Sequence, residues 1–134
     1  MNALYDKARE AFLGADIDWL ADNIKAILID TGAYTVNLAT HQFLSDIPAG
    51  VRIATSGNLS GKTSTAGVAD ADDVTFTSVS GVQSEAVALY QDTGNAATSR
   101  LICYIDTATG LPITPNGANI TVTWDNGANK IFKL

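Results

Sequence analysis

The side chains that could carry chemistry are few, and each has a specific requirement to meet. Cys103 is the one cysteine and His41 the one histidine. A thiol beside an imidazole, with an acid such as Asp46 orienting the ring, is the arrangement of a cysteine hydrolase. Cys103 stands inside Leu101-Ile102-Cys103-Tyr104-Ile105, however. Apolar surroundings raise a thiol pKa and leave cysteine an inert small hydrophobe. His41 is expected to decorate a turn.

Residues 56–63, SGNLSGKT, end like a phosphate-binding loop, but Ser56 stands where the first glycine is required. No helix pattern follows whose N-terminus would hold a phosphate, so a β-turn is expected. Asp70, Asp72 and Asp73 are the densest group of carboxylates. Oxygen ligands at such spacing suit a hard cation, yet the glycine and distal glutamate of a calcium loop are missing, and solvated turn carboxylates are the preferred reading. A glycosidase needs two converging carboxylates, and the two glutamates, Glu10 and Glu85, have no tryptophan-lined neighbourhood. Trp19 and Trp124 are expected to be core or interface anchors rather than a sugar-stacking platform. The chain is therefore read as a non-enzyme, with no catalytic, cofactor-binding or metal-ligating residue assigned.

The elements that would position these groups follow from periodicity. Residues 2–13 read as an amphipathic helix with Asn2 as N-cap, because Leu4, Ala8, Ala11 and Phe12 form one apolar stripe. Gly14 is its natural stop. Three turns are marginal alone in water, so the stripe must dock on something. Residues 16–22 are ambiguous between a second short helix and an irregular bridge. Residues 24–30, IKAILID, form a buried strand ended by Thr31-Gly32. Thr40 is read as the cap of one helical turn, HQFLSD, closed by Pro48 and Gly50.

Beyond that point strands and turns follow one another, at 51–54, 63–66, 74–79, 86–91, 100–106, 120–125 and 130–134. Val74, Phe76 and Ser78 alternate with Thr75, Thr77 and Val79, and Ile120, Val122 and Trp124 with Thr121, Thr123 and Asp125, as half-buried strands do. Residues 101–105 are apolar on both faces and are expected in a covered central strand. Asp125-Asn126-Gly127 suggests a hairpin into the last strand. These patterns predict a mainly β chain, an antiparallel β-sandwich or distorted β-barrel with a short N-terminal α-helix. One domain, 1–134, is expected, with a helical arm at 1–22 and a β-rich body at 23–134.

Composition narrows the partners. The 134 residues are 46% hydrophobic and 16% charged, enough to build a core and too apolar for wholesale disorder. Fourteen acids against eight Lys and Arg give a net charge of −6, which argues against nucleic acid because a basic patch is lacking. One cysteine excludes an intrachain disulfide and, with one histidine, a Cys/His zinc cage. No apolar run approaches the roughly 20 residues of a membrane helix, and the charged start MNALYDKAREAF lacks the apolar region of an export signal.

Four segments carry a resemblance. They are NALYDKAREAFLGADIDWLADNIKAILIDTGAYTVNLATHQFLSDIP, GKTSTAGVADADDVTF, SRLICYIDTATGLPITPNG and ITVTWDNGANKIFKL. Together they resemble small structural proteins of tailed bacteriophages and prophages across essentially the full chain. The resemblance implies a virion component without catalysis or cofactor, similar to capsid decoration or cement proteins that bind the major capsid protein. It implies assembly in the host bacterial cytoplasm and residence on the capsid surface. Lattice symmetry makes a homo-oligomer the expectation, a trimer first and a dimer second. Leu4, Tyr5, Ala8, Phe12, Trp19 and Leu20 are the candidate interface, with the β-rich body facing outward. The alternative is a tail, fibre or host-adsorption component whose Trp, Tyr and Asn/Asp/Thr loops, such as residues 107–119, meet a cell-surface glycan.

Overall fold

The computed structural model describes residues 2–134. In chain order the elements are β1 (Asn2–Leu4), α1 (Asp6–Leu13), β2 (Ile24–Ile29), β3 (Arg52–Thr55), β4 (Thr63–Thr65) and β5 (Val68–Asp70). There follow β6 (Val74–Phe76), β7 (Ala86–Gln91), β8 (Leu101–Ile105), β9 (Ile120–Val122) and β10 (Phe132–Lys133). Two 3-10 turns, Leu44–Asp46 and Ala49–Val51, lie between β2 and β3. The chain is mainly β, and all its strand pairs are antiparallel.

The central sheet has the order β1-β8-β7-β2-β3. Its three middle strands, β8, β7 and β2, are those whose sequences are apolar on both faces, and both faces are covered. Ala26, Leu28, Val87, Leu89, Cys103 and Ile105 point to one core, with Val74, Phe76, Ile120, Val122, Trp124 and Phe132. Those partners come from two smaller sheets, β10-β5-β4 and β6-β9, and the segment beside them. Ile27, Ile29, Ala88, Tyr90, Leu101 and Tyr104 point to a second core under the connection between β2 and β3, which contributes Tyr34, Leu44, Ile47 and Val51. Each enclosed large aliphatic side chain contributes about 1.5–3 kcal/mol, so these two layers carry the fold. The sheets stack as in a sandwich and do not close into a barrel.

The N-terminus departs from expectation. Asn2 caps no helix. Its Nδ2 donates to the Thr107 carbonyl at 3.0 Å, and its Oδ1 accepts the N–H groups of Asp106 and Thr107, both at 3.1 Å. That clamp holds residues 2–4 beside β8 as an edge strand, and the helix begins only at Asp6, whose N–H reaches the Leu38 carbonyl at 2.8 Å. Gly14 ends it as expected, its N–H on the Glu10 carbonyl at 2.9 Å. Over its described part, the stretch 1–22 contributes a strand, β1, to the main sheet as well as a helix.

Other boundaries move for local reasons. Residues 16–22 form an irregular bridge. The turn expected from Thr40 shifts to Leu44–Asp46. Asn37 Oδ1, not Thr40, accepts the N–H groups of Ala39 and Thr40, both at 3.2 Å, and Asp46 Oδ2 accepts those of Gln42 and Phe43 at 2.7 and 3.0 Å. The alternation after Phe76 breaks at Ser78, which has φ +50° and gives its N–H to Asn119 Oδ1. β5 is unanticipated. It pairs with β4 across Ala66-Gly67, whose φ values of 54° and 77° suit a tight two-residue hairpin. The hairpin expected at Asp125-Asn126-Gly127 is not formed, because β9 pairs with β6 and β10 with β5. The chain leaves that turn to seat Phe132 against Trp19.

Candidate interaction surface

The hydrolase constellation is not assembled. Cys103 is enclosed in β8, where burial pushes its thiol up to about 12. His41 lies over the opposite face of the sheet, tilted on the Tyr34 ring at 5.4 Å. Its Nδ1 faces the Asn37 N–H at 3.3 Å and the Tyr34 hydroxyl at 2.7 Å. An N–H can only donate, so Nδ1 accepts, Tyr34 donates to it, and the Tyr5 hydroxyl, 3.0 Å from that of Tyr34, donates in turn. Burial of Tyr5 and its hydroxyl partner raise its pKa beyond the ordinary tyrosine range, so Tyr5 keeps its proton. Partial burial opposes ionisation of Asp46, yet the N–H groups of Gln42 and Phe43, with His41 nearby, hold its carboxyl below the usual range. Its oxygen is committed to that loop.

The other candidates are likewise engaged in structure. Ser56 Oγ accepts the Ala26 N–H at 2.9 Å and donates to the Gly57 carbonyl at 2.7 Å. Lys62 Nζ reaches the Asp22 carbonyl. The segment after Lys62 is β4, not a helix. Asp73 Oδ1 accepts the Trp124 N–H at 3.1 Å, the Asp72 carbonyl accepts its indole N–H at 2.9 Å, and Ser60 Oγ donates to the Asp72 carboxylate. These acids lock Trp124, which is 4% exposed. Among the described residues no three His, Cys, Asp or Glu side chains gather as a cation would need. Glu10 pairs with Lys7 on α1, and Glu85 accepts the N–H and hydroxyl of Thr31.

The six interface candidates divide. Leu4, Tyr5, Ala8 and Trp19 are buried in the chain's own cores, so within the single chain the helical stripe docks on its own domain. The Asn2 clamp holds Leu4 and Tyr5 beside β8. Phe12 is half-buried and Leu20 is 53% exposed. These two border a groove of about 370 Å³ whose lining includes Ile17, Trp19, Ala69, Phe132 and Leu134.

The groove is built from distant parts of the chain. Trp19 Nε1 donates to the Thr63 carbonyl at 3.0 Å, which fixes the indole. Phe132 meets that indole edge-on at 5.2 Å and Phe12 at 5.8 Å. Asp18 Oδ1 accepts the N–H groups of Leu20 and Ala21, both at 3.0 Å, so a side-chain turn holds Leu20 at the rim. Leu13, next to Phe12, is 90% exposed. The sequence reading missed Phe132 and Leu134, which no local spacing connects to residues 12–20. No family model matches the chain, and no curated protein sequence matches it.

Proposed function

We propose that the protein is a structural component of a virion without catalytic turnover, a decoration or cement protein on the outer surface of a tailed-phage capsid. On this reading it binds the major capsid protein and associates with copies of itself, as a trimer first and a dimer second, after assembly in a bacterial cytoplasm. The observation that carries the reading is the apolar groove rimmed by Phe12 and Leu20. An apolar, aromatic-floored recess with exposed leucine beside it is the kind of surface that anchors another protein. A standard interface covers about 800 Å² per partner, so flanking surface including Leu13 takes part. The resemblance to phage structural proteins supplies the choice of partner.

The test is to purify particles and quantify this chain against the major capsid protein by mass spectrometry. Near-stoichiometric abundance supports the capsid reading. Absence from particles overturns it. A few dozen copies would instead favour a tail or adsorption component. The recess of about 390 Å³ lined by Asn2, Thr107, Thr109, Thr123 and Asp125 supports that second reading, since threonine hydroxyls and a carboxylate suit a glycan.

A further inference from the structure

The geometry points to a second binding site, a cleft between β1 and β10 that takes an extended, acidic segment of another polypeptide as an added strand. β1 is an open edge of the central sheet and β10 an open edge of the three-stranded sheet. Asn2, Ala3 and Leu4 line one side of the cleft and Ile131, Phe132 and Lys133 the other, around about 320 Å³. The Tyr5 N–H bonds to the Ile102 carbonyl at 3.0 Å. By the alternation of an antiparallel ladder, Ala3 and Tyr5 therefore turn their backbone groups toward β8, while Asn2 and Leu4 turn theirs away. On the other wall the Leu134 N–H bonds to the Gly67 carbonyl at 3.0 Å, so Lys133 turns its N–H and C=O away from β5.

Two edges with outward donors and acceptors thus share one cleft. Proteins ordinarily cover or pair such edges, and an extended peptide laid in the cleft about 4.8 Å from either strand would pair with it. One group is already partly used, since Arg9 Nη1 lies 3.4 Å from the Leu4 carbonyl.

Charge selects the occupant. The chain carries −6 overall with only eight Lys and Arg, yet Arg9, Lys130 and Lys133 all line this cleft. Asp125 is the one acid lining it, and its Oδ1 accepts the Gly127 N–H at 3.1 Å. Arg9 is paired with Asp6 at 2.8 Å, whereas Lys130 and Lys133 form no ion pair among the described residues. A cation-rich cleft on an acidic protein steers toward acidic side chains, and the open backbone edges require an extended chain. The inference does not depend on a virion location.

The experiment uses the full 15N-labelled chain and two end-blocked decapeptides, one alternating aspartate with valine and the other lysine with valine. The aspartate peptide is expected to shift and slow the exchange of the Leu4 and Lys133 amides. Its affinity should fall at least tenfold in a Lys130→Glu/Lys133→Glu variant with an unchanged circular-dichroism melt, and the lysine peptide should not bind. The proposal is overturned if those amides stay unprotected, if the lysine peptide binds equally, or if the double variant retains full affinity. A Lys133→Glu single variant serves if the double variant fails to fold. Protection that grows with protein concentration in the absence of peptide would assign the cleft to a second copy and overturn the acidic-peptide occupant.

Discussion

At the scale of single residues, the polar groups of this chain act as fasteners. The Tyr5–Tyr34–His41 relay is directional, and the direction makes its variants unequal. Tyr34→Phe strands the enclosed Tyr5 hydroxyl and should cost about 1–3 kcal/mol in urea unfolding, while Tyr5→Phe leaves Tyr34 bonded to His41 and should cost only about 0.5–1.5 kcal/mol. Trp124→Ala, which empties a buried indole site and strips the Asp72 carbonyl of its indole donor, should cost about 3–5 kcal/mol. Asp92 supplies a pH signature. The Lys25 ammonium at 2.8 Å and the Gly94 N–H hold its carboxyl below the usual range. A carboxyl depressed in the folded state stabilises above its unfolded value of about 3.9, and that stability is lost as pH falls through the folded value. The melting-temperature gap between the wild type and Asp92→Asn should therefore be open at pH 6 and close as pH drops below about 4.

At the scale of elements, short strands depend on what clamps their ends. β1 has three residues and is held by the Asn2 amide bonds to 106–107. Asn2→Ala should speed amide exchange in β1 while leaving β7 and β2 protected, because those strands are paired on both sides. The β4–β5 hairpin turns at Ala66 with φ 54°, a region where a Cβ costs about 1 kcal/mol. Asn tolerates that region better, so Ala66→Asn should raise stability by about 0.5–1 kcal/mol in denaturant titration.

At the scale of the whole molecule, the exposed side chains of Leu20 and Leu134 both line the groove where the N-terminal bridge and the C-terminal strand meet. If the groove seats the capsid partner, Leu20→Asp should lower incorporation into particles more than tenfold while the isolated chain melts unchanged, since Leu20 is over half exposed. Deleting residues 1–14 is a different perturbation. It removes an edge strand and takes Leu4, Tyr5, Ala8 and Ala11 from the cores, so loss of cooperative folding by circular dichroism is the expected outcome.

Much of the architecture was legible from local pattern. The strands β2 and β8 were marked by apolar runs, the second apolar on both faces, β7 only by the turn residues that bound it, and Thr121 against Ile120 and Val122 marked β9 by alternation. Gly14 marked the helix end, and the apolar setting of Cys103 marked it as inert. Segments whose state depends on a distant partner were not legible. Residues 2–4 carry a helical stripe and become a strand because Asn2 reaches residues more than 100 positions away. The turn at 125–127 suits a hairpin, yet Phe132 is drawn to Trp19 and Phe12. The sequence by itself determined a mainly β chain with a covered central strand at 101–105, because alternation and apolar runs are local. Only the tertiary structure decided which apolar residues stay exposed and which edges stay open, because both depend on where remote segments come to rest.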